Sequence, residues 1–359
     1  MIWVVSEEQL YDENVRKHAG GKAREDLSRI FTDCGYSEIT ISLPQRERES
    51  ATNVKKFLYH LEAATTWKKA LRDIKTGDSL ILQFPVINHT LLFNNVLKKL
   101  KNRGVEVYAF IHDLEILRMG NDARFTRAMR WRMKKEEVDE LNLFDGIVVH
   151  NEKMKKLLAE KLNVDEGKMF TLGIFDYLTT DDFSPSMEVE NFRNCIIAGN
   201  LNSNKSKYIY ELPETPDFEL YGVNFETSDN PAIHYHGSFL ADDLPFHMKG
   251  GFGLVWDGDS AKTCNGAWGA YLRFNNPHKT SLYLACGIPV VIWDEAALAD
   301  YILTNKVGIV VKSTYDIDKA LSDISEEQYR EMKKNAIEIS SGLRNGSNTI
   351  RVLRKMGLR

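Results

Sequence analysis

Residues 250–293 read GGFGLVWDGDSAKTCNGAWGAYLRFNNPHKTSLYLACGIPVVIW and carry the clearest structural pattern in the chain. An apolar run at 252–256 and a second one at 288–293 flank a polar segment that contains several glycines. A helix is predicted from Pro277 to just before Gly287, because proline is favoured at the first helical position and glycine just past the last. The order strand, loop, helix, strand is typical of a parallel sheet.

The start of this helix is predicted to bind an anion. Asn275 or Asn276 can cap it, and His278, Lys279 and Thr280 follow in its first turn. Unpaired backbone N–H groups and the helix dipole favour negative charge there, and Lys279 adds a full positive charge. A pyrophosphate group suits these features. For His278 and Thr280, a ligand contact and a purely structural role are both open.

Outward from this stretch, short apolar strands alternate with helical segments along the whole chain. Up to about residue 177 the strands include IWVV, EITISL, SLILQF, VEVYAFI and GIVV, and after a polar linker the alternation restarts with NCIIAGNL. This pattern predicts an α/β fold of two Rossmann-like, doubly wound domains that face each other across a cleft. We expect domains at 1–177 and 190–344, with a final helix at 345–359 that packs back on the first domain.

Composition points to a globular protein that does not bind nucleic acid. The chain has 359 residues, 43% apolar and 27% charged, with a formal net charge of −4. No apolar run reaches the roughly 18 residues that a membrane span requires, and no secretory signal is recognisable, so we expect a cytoplasmic protein. The four cysteines are scattered, which predicts neither a disulfide framework nor a zinc site.

Four segments carry a resemblance to a known family: FIHD at 110–113, IVVHNEKM at 147–154, GFGLVWDGDS at 251–260 and NNPHKTSLYLACGIPVV at 275–291. Over nearly the whole chain, the sequence resembles bacterial GT-B sugar transferases of the galactofuranosyltransferase and adhesin-modifying glucosyltransferase type. Its most specific part, WDGDS followed by NNPHKTSLYLA, resembles the galactofuranosyltransferases of surface-polysaccharide synthesis. The resemblance implies a glycan acceptor and a UDP-sugar donor held mainly by the second domain, with Lys279 at the diphosphate.

Further donor-binding candidates lie in the second domain beside Asn276 and Lys279. Lys205 follows a strand and opens a helix, so it is either a second cation for the diphosphate or an ordinary surface lysine. Tyr221 and Gly222 end another strand, where they either border the uridine or simply terminate the strand.

Asp257 and Asp259 match the D-x-D pattern of metal-dependent sugar transferases. In a GT-B enzyme, however, lysine, arginine and a helix start neutralise the pyrophosphate in place of a divalent ion. We therefore expect these aspartates to hydrogen-bond the loop or the donor, and we expect activity to need no metal or other cofactor.

The predicted general base lies in the first domain. Transfer from an α-linked donor to a β product inverts the anomeric carbon, and inversion requires a group that takes the proton of the acceptor hydroxyl. Asp113 is the leading candidate because it follows an apolar strand at the edge of the cleft; His112 and Glu115 are the alternatives. Asp113 could instead cap the next segment, and a retaining enzyme would need no such base.

Gly20 and Gly21 follow the first strand and open a helix, so their backbone N–H groups are a further candidate contact to the donor. The complete G-x-G-x-x-G pattern is missing, which lowers the case for a dinucleotide-dependent oxidoreductase.

Other functions stay open at this point. The chain could be a glucosyltransferase that uses UDP-glucose in protein glycosylation, a UDP-sugar epimerase of GT-B shape, or a sugar-nucleotide-binding module without transfer activity. The sequence leaves a monomer and a homo-oligomer equally open.

A basic helix is predicted over 124–135, RFTRAMRWRMKK. Its six cations favour contact with an anionic lipid-linked acceptor or with the membrane that carries it. Phe125, Met129 and Met133 recur every four residues and are expected to form the opposite, packed stripe. The alternative is a solvated helix whose cations pair with Glu136, Glu137, Asp139 and Glu140.

Overall fold

The computed structural model describes residues 1–8, 21–42, 53–119, 126–179, 183 and 191–359. These residues form two compact units. Unit 1 contains residues 1–8, the described part of 27–172, and 350–359. Unit 2 contains residues 21–26 and the described part of 173–349.

Unit 1 is built on a six-stranded parallel sheet in the order β2-β1-β3-β4-β5-β6. The central strand β3 is buried along its whole length, as expected for a strand with helices on both faces. The strands are β1 (Ile2–Glu8), β2 (Ser37–Ser42), β3 (Ser79–Phe84), β4 (Glu106–Ile111), β5 (Gly146–Val149) and β6 (Met169–Thr171). The helices are the part of α1 (Lys22–Asp33) from Leu27 onwards, α2 (Asn53–Ala70), α3 (Phe93–Asn102), α4 (Glu115–Met119), α5 (Arg127–Met133), α6 (Asp139–Leu141), α7 (Glu152–Leu162) and the end of the C-terminal helix.

Unit 2 contains a second six-stranded parallel sheet, in the order β12-β11-β10-β7-β8-β9. Its strands are β7 (Cys195–Asn200), β8 (Phe218–Val223), β9 (Ile233–Tyr235), β10 (Phe252–Val255), β11 (Val290–Trp293) and β12 (Gly308–Val311). Its helices are α8 (Ser203–Ser206), α9 (Leu244–His247), α10 (Gly266–Tyr271), α11 (His278–Ala285), α12 (Ala299–Thr304), α13 (Ile317–Ser322), α14 (Glu326–Arg344) and the start of α15 (Ser347–Lys355).

The strand orders identify one switch point in each sheet. In unit 2 the chain runs outward from β7 in one direction and from β10 in the other, and these two strands pair directly. In unit 1 the corresponding neighbours are β1 and β3. Ligands of open α/β sheets bind beside the carboxyl ends of the strands at such a point. The expected α/β fold of two Rossmann-like sheets is therefore confirmed.

The region of the basic helix predicted over 124–135 departs from expectation. After α5 the backbone widens into one π-helical turn, Lys134–Val138, before α6 completes the element. A π turn rotates the following residues relative to a regular helix, and here both Glu136 and Glu137 become buried although they are consecutive. Hydrophobic spacing alone indicates neither the turn nor two inward glutamates.

The C-terminal helices follow their sequence signals. Ser325 caps α14 and forms a capping box with Gln328. The next helix, α15, begins against Asp176, whose carboxylate accepts hydrogen bonds from the backbone N–H groups of Asn348 and Thr349 at 3.1 and 2.8 Å. Residues 350–359 then group with unit 1.

Candidate active site

The start of α11 lies at the carboxyl end of β10, beside the switch point of unit 2. Lys279 is the second residue of α11, and its Nζ lies 3.0 Å from the Trp256 carbonyl oxygen and 3.0 Å from Asp257 Oδ1. Its ammonium group is thus held at the loop that follows β10. The cation predicted for the diphosphate stands where the sheet topology predicts a ligand.

Two neighbours of Lys279 use their nitrogen donors on the backbone of residues 173–176. Asn276 Nδ2 donates to the Gly173 carbonyl at 3.0 Å, and His278 Nε2 lies 3.1 Å from the Asp176 carbonyl. Because a carbonyl oxygen only accepts, His278 must carry its proton on Nε2, which leaves Nδ1 as the acceptor of the ring. Desolvation lowers the pKa of His278 to about 4, so the ring is neutral near pH 7. These contacts anchor the helix start.

Thr280 completes the first turn. Its side chain is fully buried, and its Oγ1 has no hydrogen-bond partner in the structure. A buried hydroxyl without a partner is unusual in a native fold. In this structure Thr280 therefore packs in the core, and its Oγ1 makes no hydrogen bond.

Lys205 lies at the other half of the same switch point. It is in α8, directly after β7, and its Nζ stands 5.1 Å from the centre of the Trp268 ring in a cation–π contact. Because β7 and β10 pair directly, Lys205 and Lys279 follow neighbouring strands of one sheet edge. The fold thus brings both predicted cations to this edge.

Tyr221 and Gly222 are the fourth and fifth residues of β8, the next strand along. The Tyr221 ring is buried against His236, with ring centres 4.8 Å apart, and its hydroxyl accepts from the Lys249 backbone N–H at 3.0 Å. A Cβ on Gly222 would lie 1.8 Å from the Gly199 carbonyl oxygen, so only glycine fits where these strands approach. Both residues thus have structural contacts: the Tyr221 ring stacks on the His236 ring, and Gly222 allows β7 and β8 to approach closely.

The two aspartates of the D-x-D pattern have different surroundings. Asp257 pairs with Lys279, whereas Asp259 donates its backbone N–H to Asn265 Oδ1 at 3.1 Å. Among the described residues, no group of three or more histidine, cysteine, aspartate or glutamate side chains is arranged to hold a metal ion. In this structure, Asp257 acts as the partner of the candidate diphosphate lysine.

The candidate base of unit 1 follows β4. Asp113 is 51% exposed, and its Oδ2 lies 3.7 Å from Arg118 Nη1. Asp113 is not the cap of the next helix: the backbone N–H groups of Glu115 and Ile116, which open α4, both donate to the Glu137 carboxylate at 2.8 Å. The capping role that the sequence left open for Asp113 is thus filled by Glu137, and Glu115 is the first residue of α4.

His112 is fixed by a hydrogen-bonded chain across the sheet. Its Nε2 lies 2.8 Å from Gln83 Oε1 on β3, and Gln83 Nε2 donates to Ser28 Oγ at 2.8 Å. On the neighbouring strand end, His150 Nε2 lies 3.2 Å from the Ile111 carbonyl oxygen, and burial lowers the pKa of His150 to about 4. Sequence reasoning missed Gln83 and His150. A polar residue within a buried strand and a histidine directly after one are the signals that could have identified them.

The glycine pair is only partly described. Gly20 lies outside the described residues, whereas Gly21 directly precedes α1 and its carbonyl accepts from Arg24 and Glu25. Lys22, which follows it, is buried and donates to Asp26 Oδ1 and to the Leu178 carbonyl oxygen, each at 2.8 Å. This buried ammonium was not predicted.

The predicted basic helix buries a different set of side chains from the set expected. Arg124 and Phe125 lie outside the described residues, and Met133 is buried as predicted. The prediction of a packed Met129 was wrong, since Met129 is 39% exposed beside Trp131 at 57%. Other cations of the helix pair internally, Arg132 with Glu136 and Lys135 with Asp139. None of the helices in the described ranges has the length and hydropathy needed to cross a bilayer.

Comparisons with known proteins agree with these features. The model of the glucosyltransferase 3-like N-terminal domain matches residues 3–174, and that of the C-terminal domain matches residues 195–356. The β-1,6-galactofuranosyltransferase WbbI of Escherichia coli (strain K12) is 36% identical over 341 residues, covering 92% of each chain. Glucosyltransferase 3 of Streptococcus gordonii is 24% identical over 342 residues, again covering 92% of each.

Solved structures show the same fold at low identity. A sucrose-phosphate synthase from Thermosynechococcus elongatus has a TM-score of 0.62 at 12% identity, covering 99% of this chain and 98% of its own. WaaG, a glycosyltransferase involved in lipopolysaccharide biosynthesis, has a TM-score of 0.55 at 11% identity, covering 98% and 99%.

The two Rossmann-like sheets and the solved structures show a GT-B fold, and the family and relative matches make the chain a glycosyltransferase. The chain belongs to the glucosyltransferase 3-like family. The predicted resemblance and the predicted enzyme class, a glycosyltransferase, are both confirmed.

Proposed function

We propose that this glycosyltransferase moves galactofuranose from UDP-galactofuranose to a glycan acceptor in surface-polysaccharide synthesis. The observation that carries the proposal is the 36% identity to a β-1,6-galactofuranosyltransferase over 92% of both chains. The glucosyltransferase 3 of S. gordonii matches the same length at 24%. Glucosyl transfer from UDP-glucose is therefore the second candidate.

In this proposal unit 2 binds the donor. The diphosphate accepts hydrogen bonds from the start of α11 and pairs with Lys279, while Lys205 supplies a second cation from the neighbouring strand end. Asp257 holds the Lys279 ammonium in place, as their 3.0 Å contact supports. The pair also keeps the lysine charge compensated before the donor arrives.

In unit 1, Asp113 is the general base of an inverting reaction. Its exposed carboxylate removes the proton of the acceptor hydroxyl as that oxygen attacks the anomeric carbon, and UDP leaves with the electrons of the broken bond. The observation in favour of Asp113 is that its exposed carboxylate follows the end of β4 and is not used to cap α4, because Glu137 caps that helix. His112 lies beside it, oriented by Gln83.

We further propose that the reaction needs no metal or other cofactor, because lysine charge and a helix start can neutralise the leaving diphosphate. Transfer should then proceed unchanged after dialysis against EDTA. Loss of activity with EDTA, restored by Mn²⁺ or Mg²⁺, would instead assign Asp257 and Asp259 to a metal.

We also propose that the acceptor is lipid-linked and that α5 contacts the anionic surface carrying it. Arg127 is exposed on α5 together with Met129 and Trp131, and Lys134 is exposed at the start of the π turn that follows. Exposed cations beside an exposed tryptophan suit a membrane interface.

A donor panel tests the central assignment. The protein is incubated with UDP-galactofuranose, UDP-galactopyranose or UDP-glucose, each with and without a panel of hexopyranoside acceptors, and released UDP is measured. The proposal predicts acceptor-dependent UDP release from UDP-galactofuranose above the other donors. Faster turnover of UDP-glucose would support the glucosyl alternative, and donor binding without turnover would support a binding module.

A further inference from the structure

Helix α4 begins without a cap of its own. The residue before its first turn is Leu114, a buried apolar side chain that cannot accept a hydrogen bond. The first N–H groups of any helix have no partner within the helix and must find one elsewhere. This helix directly follows the segment that carries His112 and Asp113, so its placement fixes where that segment ends.

Glu137 supplies the missing partner from another part of the chain. Its Oε1 accepts the Glu115 N–H at 2.8 Å, and its Oε2 accepts the Ile116 N–H at 2.8 Å. The side chain is only 4% exposed. Both oxygens of one buried carboxylate are thus used to hold the start of α4.

The π turn directs Glu137 inward. Residues 134–138 form the π-helical turn, within which Glu136 and Glu137 are both buried. Glu136 pairs with Arg132 at 3.3 Å, whereas Glu137 faces α4. The π turn therefore lets one helical element direct two successive carboxylates towards different partners.

Arg118 connects Glu137 to Asp113. It lies on α4, with its Nη1 3.7 Å from Asp113 Oδ2. Burial raises the pKa of Glu137, whereas the two N–H donors and the positive charge of Arg118 favour the carboxylate and counteract that rise. Arg118 therefore interacts with both carboxylates, so a shift of α4 would move the cation beside Asp113.

We propose that Glu137 is a positioning residue for transfer: by capping α4 from the π turn, it fixes the segment 112–114 and the Arg118 guanidinium beside Asp113. The inference rests on the proposed role of Asp113. It assigns no ligand to the buried glutamates. The role of Glu137 is to hold a strand-end segment in one conformation.

The test combines a structural and a kinetic measurement on the full chain. The variants are Glu137→Ala and Glu137→Gln, with Glu140→Gln as matched control, because Glu140 is a buried glutamate of the same element and the α4 N–H groups are held by Glu137. Amide hydrogen exchange at Glu115 and Ile116 reports the cap. The kcat, the KM for donor and acceptor and the pH profile of kcat report transfer.

We expect Glu137→Ala to speed exchange at these two amides and to lower kcat on the order of ten- to a hundredfold, with donor KM within about twofold. Glu137→Gln keeps the volume and one acceptor oxygen, so it should fall between alanine and wild type, and it serves if the alanine variant does not fold. Glu140→Gln should match wild type in exchange and kcat.

Unchanged exchange in the Glu137 variants overturns the inference, and so does faster exchange with an unchanged kcat and pH profile. Asp113→Asn separates this result from the proposed function. Full activity in Asp113→Asn would remove the assignment of the base, whereas a loss of kcat in Glu137→Ala would still support positioning of the segment that carries His112.

Discussion

At the residue scale, an ion pair joins two parts of unit 2 at the candidate donor site. Lys279 opens α11 and Asp257 follows β10, and their side chains meet at 3.0 Å. Both residues were selected from sequence, but as members of separate motifs. Their pairing could not be predicted, because it depends on how the loop after β10 folds back towards the helix start.

Replacing Lys279 with alanine should weaken donor binding. The loss of one charge-assisted contact to the diphosphate costs about 1.5–3 kcal/mol, which is on the order of ten- to a hundredfold in Kd for UDP. Isothermal titration calorimetry measures the change. Lys306→Ala is the matched control, since Lys306 also pairs with a carboxylate, Glu331, but lies on the exposed surface. Equal UDP affinity in wild type and Lys279→Ala would remove Lys279 from the donor site.

His150 should make the protein sensitive to acid. Its pKa is about 4 in the folded chain and 6.5 when unperturbed, so between these values the unfolded state binds more protons than the folded state. Its stabilising effect is therefore complete above pH 6.5 and is lost as the pH falls towards 4. Relative to His150→Gln, wild type should lose up to about 3 kcal/mol of unfolding free energy over this window.

Urea unfolding at several pH values between 7 and 4.5 measures this difference. His234→Gln is the control, because His234 is exposed on the edge strand β9. Parallel pH dependences for wild type and His150→Gln would show that the folded state does not hold this imidazole neutral.

At the element scale, strands were easier to predict than the helices between them. Buried parallel strands read as continuous apolar runs, so β3 and β10 are visible in sequence. The structure of the helical element at 127–141 was not visible in the sequence. Its division into α5, a π turn and α6 goes with the burial of both Glu136 and Glu137, and Glu137 finds its partners at the start of α4. Those partners lie 22 and 21 residues away in sequence, so no local pattern indicates them.

The cations at residues 127–134 lead to a prediction about binding to anionic membranes. Replacement of Arg127, Arg130 and Lys134 with glutamate should abolish co-sedimentation with anionic vesicles at low salt, because each nearby cation contributes about 1 kcal/mol of attraction. Glutamate at Lys156, Lys161 and Lys168, cations elsewhere in unit 1, should leave sedimentation unchanged. If the wild-type protein does not sediment at all, the proposed surface contact is wrong.

At the scale of the whole molecule, the sequence predicted the class of fold and the position of the donor-side cations. Two alternating series of strands and helices indicated two Rossmann-like sheets, and the strand orders of the structure bring Lys205 and Lys279 to adjacent strand ends. The strand order itself could not be read from the sequence, since it depends on contacts between residues far apart in the chain. The grouping of residues 21–26 with unit 2 likewise depends on contacts between residues far apart in the chain.

In the proposed mechanism, Asp113 affects the stereochemistry of the product more directly than it affects binding. A base that activates the acceptor hydroxyl gives direct displacement, and direct displacement inverts the anomeric carbon. Chemistry without such a base would allow retention. The anomeric configuration therefore tests the mechanism that we propose.

The most direct measurement is the NMR spectrum of the glycan formed from UDP-α-galactofuranose by the wild-type enzyme, with Asp113→Asn run in parallel. We predict a β-linked galactofuranosyl product from wild type and a loss of turnover in Asp113→Asn, with UDP binding retained because the donor-side cations lie in unit 2. An α-linked product, or the same β product formed at the wild-type rate by Asp113→Asn, would contradict the account.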